Sequence, residues 1–225
     1  MSSLVQLVCL ANSLKHGERC IAGIDLETKQ WIRPICDDLY SKDGRVPPVV
    51  RLIEGQEPQL LDILEMQLAQ SGNNFGFSVE NRTILPGYWR RVRIAQLGGL
   101  RKYYEVYEDW LDILHNPDRF VSLEYLQELP TAQRRTLQLV YGRFQQLIPT
   151  GEGRWHGTFV TDRHQTLVQA SITDPVFLEQ INQGHRPQGS YFVTVSLSMP
   201  WVPRDAPHQP PRCYKLIAGV IADPV

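Results

Sequence analysis

Short apolar runs broken by turn formers dominate the first hundred residues. LVQLVCLAN (4–12), RCIAGIDL (19–26) and KQWIRPI (29–35) each read as a strand, and Glu27-Thr28 between the last two predicts a hairpin turn. A loop with Asp37, Asp38, Gly44, Pro47 and Pro48 follows and ends in VVRLI. PQLLDILEMQLAQ (58–70) fits a helix through Leu60, Leu64 and Leu68, and also a long strand; the strand is the preferred reading. FGFSVENRTIL (75–85) and YWRRVRIAQL (88–97) complete this part as further strands.

The period changes in the middle. Tyr104, Tyr107, Trp110, Leu111 and Leu114 recur at helical spacing before the stop signal Asn116-Pro117. A second short helix is expected in SLEYLQELP, with Ser122 as N-cap, Glu124 in the first turn and Pro130 past the end. Strands then return: TLQLVYGRFQQLI (136–148), GRWHGTFVTD (153–162) and QTLVQASIT (165–173). Asp174-Pro175 opens a helix that Gly184 closes, and SYFVTVSLSM (190–199) and CYKLIAGVI (213–221) follow on either side of the proline-rich PWVPRDAPHQPPR.

The order β-β-β-α-β-β is that of an OB-fold, a five-stranded barrel. The opening part reads as a looser version of the same barrel with its helix lost. The predicted fold is therefore β-rich (all-β or α+β), with two OB-like barrels joined by a short helical bridge. The expected boundaries are 1–95, 96–135 and 136–225.

Composition adds limits. With 225 residues and 42% hydrophobic content the chain supports ordinary packed cores, and no apolar run approaches the roughly 20 residues of a membrane span. The N-terminus lacks the basic opening and small-residue cleavage site of a signal peptide, so the expected location is cytoplasmic. Cys9, Cys20, Cys36 and Cys213 form no CxxC pair, and no His cluster stands at ligand spacing; free thiols, no metal and no cofactor are expected. A formal net charge of −1 argues against a molecule-wide attraction to polyanions. The 23 cations are 18 Arg and 5 Lys, which favours forked hydrogen bonding and ring stacking wherever they gather.

CLANSLKHGERCIAGIDLETKQWIRPI at the start, VTD and SITDP in the second β part and CYKLIAGVI at the end resemble the dual OB-fold domain family, over nearly the whole chain. Asn12, Lys15, Arg19, Cys20, Gly23, Trp31, Arg33 and Pro34 carry the first motif, Thr173, Asp174 and Pro175 the second, and Lys215 the third. The resemblance implies nucleic-acid binding, in some members within a genome-conflict or defence setting.

OB-folds bind across strands 2 and 3 and the adjoining loops. Trp31 and Arg33 alternate onto one face of the third strand. They read either as a stacking surface beside a phosphate clamp or as packing against the second barrel or the helical segment. Lys15, His16 and Arg19 lie in the neighbouring loop. Arg91 and Arg93 share a face near Tyr88 and Trp89; Arg154 and His156 share the outer face of a second-barrel strand, with Arg163 at the next turn, while Trp155 and Phe159 read as core. Lys215 sits in an apolar strand with Cys213 and Ile217, so it must snorkel to solvent or find a partner. Asp174 reads as a cap. No GxSxG, Walker loop or HExxH is present, and Asp37-Asp38 with Asp43 reads as a turn. The expected function is a non-catalytic module for single-stranded DNA or RNA or nucleic-acid ends, using Lys15, Arg19, Trp31, Arg33, Arg91, Arg93, Arg154, His156 and Lys215. The alternatives are a protein-binding adaptor and a small-nucleotide sensor.

Overall fold

The computed structural model describes residues 2–105, 112–202 and 207–224. The chain divides into two compact units, Met1–Tyr103 and Tyr104–Val225. In the first, β1 (Ser2–Lys15), β2 (Glu18–Asp25), β3 (Trp31–Ile35), β4 (Asp62–Ala69), β5 (Asn81–Thr83) and β6 (Arg90–Ile94) form one sheet in the order β5-β3-β2-β1-β4-β6. The sheet curls into a half-barrel, touching across its opening near the end of β5. β5 runs parallel to β3, and Ile84, the next residue, bridges Leu68 of β4, where the Leu85 amide donates to the Gln67 carbonyl at 3.0 Å.

Residues 85–89 then leave the wall and β6 resumes antiparallel to β4, so β5 and β6 are two halves of one fifth strand. The excursion returns Trp89 to the core, where it packs with Leu7, Ile21, Ile32, Leu64 and Met66. The strand expected over 75–85 shrinks to Asn81–Thr83. Asn73 and Asn74 instead accept the amides of Phe75 and Gly76 through their own side chains, each at 2.9 Å, and turn the chain.

The linking segment holds α2 (Arg101–Glu105); the helical spacing through Tyr107, Trp110 and Leu111 lies outside the described residues. In the second unit come β7 (Phe120–Ser122), α3 (Leu123–Glu128), β8 (Leu137–Gly151), β9 (Arg154–Thr161), β10 (Thr166–Ile172), α4 (Pro175–Asn182), β11 (Ser190–Leu197) and β12 (Arg212–Asp223). Their order is β10-β9-β8-β11-β12-β7, and a parallel β10–β12 pairing closes five of them into a barrel. This is the OB order predicted from the chain. Close approach of the strands is built in: a Cβ on Gly142 of β8 would lie 2.1 Å from the Val160 carbonyl oxygen of β9.

The helix between strands 3 and 4 differs between the units. In the second, Asp174 caps α4, one carboxylate oxygen accepting the Val176 and Phe177 amides and the other the Val220 amide at 2.8 Å. Phe177 and Ile181 then point into the barrel core. At the same place in the first unit stands a single turn, α1 (Pro48–Arg51), preceded by Pro47 and without a side-chain cap. The first helix is therefore reduced, not lost. Ser122 caps α3 as expected, accepting from the Tyr125 amide. Among the described residues no helix is long and apolar enough to cross a membrane, and no group of three or more His, Cys, Asp or Glu is placed to hold a metal ion.

Candidate nucleic-acid interface

Register fixes which face Trp31 and Arg33 occupy. Trp31 pairs with Ile24, Ile24 with Val8 and Val8 with Ile63, so all four share one side of the sheet. Ile24, Val8 and Ile63 are at most 1% exposed, and the Trp31 indole nitrogen is buried without a hydrogen-bond partner. Trp31 is half-buried beside this covered apolar face, which favours the packing reading over the stacking surface. Arg33 is likewise committed. Its guanidinium lies 2.9 Å from a Glu80 carboxylate that is itself only 6% exposed, and it donates to Ser78 and Asn81 at 3.2 and 3.4 Å. Turning Arg33 toward a phosphate would strand a buried charge.

Most of the other first-unit candidates are also spoken for. Lys15 stands 3.8 Å from Asp43, which Arg45 holds at 3.0 Å. Burial lowers the Lys15 pKa, opposed by Cys20 and Asp43. Arg19 faces Glu57 at 3.9 Å, and the same carboxylate holds Arg51 at 2.7 Å. On β6 the basic patch is mostly neutralised: Arg91 bonds Asp62 at 2.9 Å and Arg90 pairs with Glu65. Hydrogen bonds from Gln6 and Arg90 hold the Glu65 carboxyl below its usual range. Arg93 alone of that trio is exposed and outside an ion pair.

In the second unit Lys215 is corrected too. It is 2% exposed, and its ammonium donates to the backbone and side-chain oxygens of Asn116. Burial pulls its pKa down to about 8, with Asp112 and Asp118 opposing. This lysine ties a loop to the barrel and is held away from solvent. Trp155, expected in the core, sits half-buried with its indole N–H on Asn182 at 2.8 Å, whereas Phe159 is fully buried as expected.

Arg154 and His156 do lie on the outer face of β9, and the register extends that face across the unit. His156 pairs with Ser171 of β10, and Ser171 with Leu216 of β12. Tyr214, two residues before Leu216, pairs with Phe120 of β7. These aromatic side chains form a ladder: Tyr214 is 5.7 Å from Phe120 and 5.9 Å from Trp201, and the Arg212 guanidinium lies 4.2 Å over the Phe120 ring. Trp201 is 49% exposed. Arg119, beside Phe120, donates to the Gln169 carbonyl at 3.0 Å, and after burial its charge is the second cause of the lowered His156 pKa. Among the described residues Arg119, Arg154 and Arg212 enter no ion pair.

Sequence reasoning missed Arg119, Phe120, Trp201, Arg212 and Tyr214. They come from β7 and the residue before it, β12 and the turn after β11, and only pairing brings them together. The one signal available was the alternation of Tyr214 against Cys213 and Lys215, which places its ring opposite the core. Ring faces beside unpaired guanidinium groups suit stacked bases with a phosphate backbone. No curated protein matches the chain in sequence comparison. A family model does match it over residues 5–220, and with the two OB-ordered sheets in place the chain belongs to the dual OB-containing domain family.

Proposed function

We propose that this protein is a non-catalytic module that binds single-stranded DNA or RNA across the outer face of its second barrel. Bases stack on Trp201, Tyr214 and Phe120, and Arg119, Arg154 and Arg212 meet the backbone, with His156 between them. One observation carries the reading: an aromatic ladder on β12 and β7, with Arg119 and Arg212 beside it and no carboxylate partner among the described residues, continues the outer face of β9 and β10, the strand 2–3 surface that OB-folds use for ligands. The near-neutral net charge is compatible with it, because local placement and not the total sets the field at a site. Free thiols at all four cysteines fit a reducing, cytoplasmic setting.

The test is a titration of labelled single strands across a salt series. Neutralising three phosphates gives a slope of log K against log salt of about −2 for a single strand. Arg119→Ala with Arg154→Ala should flatten that slope by more than half, and Trp201→Ala should weaken binding by about 1–3 kcal/mol at every salt concentration. Absence of binding to any oligonucleotide at low salt would refute the reading.

A further inference from the structure

β8 and β9 run on beyond the barrel as a two-stranded arm, and a cavity of about 390 Å³ lies between the arm and the segment that follows α4. It sits on the opposite side of β9 from the outer face, because Trp155, which lines it, alternates with Arg154 and His156. Its aromatic side is held fixed. The Trp155 indole is tied to Asn182 at the end of α4, and Phe144 stacks on Phe177 with ring centres 5.0 Å apart and planes 19° from parallel.

One polar group comes from an irregularity in β8. The register slips between Phe144 and Gln146, leaving Gln145 as the extra residue at the cavity's edge; Leu147 and Pro149, which pair with Gly157 and Trp155, wall the cavity, while Gln146 pairs with Thr158 on the side of His156. Arg186 completes the lining, leaving no carboxylate in it.

We propose that this cavity takes a single nucleobase carrying a phosphate, as a free mononucleotide or a strand terminus. Each part of the lining has a counterpart in such a ligand. The indole offers a face to a flat ring. The Gln145 amide at the edge offers a donor and an acceptor, the complement of a base edge. The arginine offers a fork to the phosphate. The volume falls near the lower end of small-molecule sites, roughly 300–1,000 Å³, and so suits one nucleotide and not a stretch of strand. The site needs nothing from the outer face, so the two proposals stand or fall separately.

Calorimetry on the full chain with UMP, AMP, uridine, ribose 5-phosphate and inorganic phosphate decides it. Saturable binding of a monophosphate is expected, with ribose 5-phosphate and phosphate at least tenfold weaker. Trp155→Ala should cost at least tenfold. Gln145→Ala, at an exposed side chain, should change the ratio between UMP and AMP, and Gln146→Ala should not. Arg186→Ala should weaken the monophosphate and leave uridine unchanged. Trp201→Ala should leave all of these constants as they are. The proposal fails if no nucleotide binds up to about 1 mM. It also fails if phosphate alone binds as well as the monophosphates, or if Trp201→Ala abolishes nucleotide binding while Trp155→Ala does not.

Discussion

In the first barrel Arg33, Arg51 and Arg91 each point at a carboxylate within 3 Å; in the second, Arg119, Arg154 and Arg212 point at none among the described residues. The strand order is the same, yet the cations do different work. An arginine locked to a buried acid cannot leave without stranding that acid, and its field is largely cancelled at the surface. An arginine without an acid beside it keeps its attraction for a polyanion. The sheet faces differ in the same sense. At the centre of the first sheet Val8 and Ile24 are covered, whereas the corresponding face of the second keeps Arg154, Val168 and Trp201 in solvent. An OB-fold thus does not by itself say where the ligand goes; the pairing of its charges does.

The sharpest way to break this contrast is Arg33→Ala. Removing it leaves the Glu80 carboxylate buried without its cation, and chemical denaturation should show the first unit weakened by about 3–5 kcal/mol. The salt slope of oligonucleotide binding should stay unchanged. If instead the slope flattened while stability held, the first barrel would be a ligand surface and the contrast would collapse.

Lys215 is the second barrel's structural cation, and pH isolates it. Its pKa of about 8 in the folded chain lies below the ordinary 10.5, so the unfolded chain binds the proton more tightly. The penalty is full below about pH 8 and is relieved as pH rises toward 10.5, on the order of 3 kcal/mol. Burial acts in the opposite sense on Cys213, pushing its thiol up to about 12 and lowering stability as pH rises above 9. The effect is therefore read as a difference: subtracting the pH–stability curve of Lys215→Met from that of the natural chain should leave a rise between pH 8 and 10.5. A flat difference would place the lysine in contact with solvent.

The smallest effect concerns the helices. Asp174→Ala should cost about 2 kcal/mol, at the top of the capping range because the same carboxylate also serves the Val220 amide. Substitution of Pro47 by Ala, ahead of the uncapped α1, should change stability by far less.

Much of the fold was legible because it rests on local rules. Turn residues punctuate the strands, Asp174-Pro175 starts a helix, and five strands with one helix in that position leave the OB order as the natural topology. The site was legible only in fragments. Alternation says that Trp31 and Arg33 share a face, or that Arg154 and His156 do, but not which face the rest of the chain covers. Arg33 looked available because Glu80 is 47 residues away in sequence, and Phe120 and Tyr214 are separated by still more. Lys215 showed its difficulty openly, a charge in an apolar strand, while its partner Asn116 stood in a segment read as a helix stop.

In the first barrel β4 meets the end of β5 at one bridge, Leu68 to Ile84, beside the hydrogen bond from Leu85, before β6 takes up the pairing. In kinetic terms that seam is a latch. Joining it brings together strands already fixed elsewhere, so it forms late and releases early, and amides on either side should exchange with solvent sooner than those of β1 and β2. The unit that binds its charges most tightly is, along this one line, the easier to unzip.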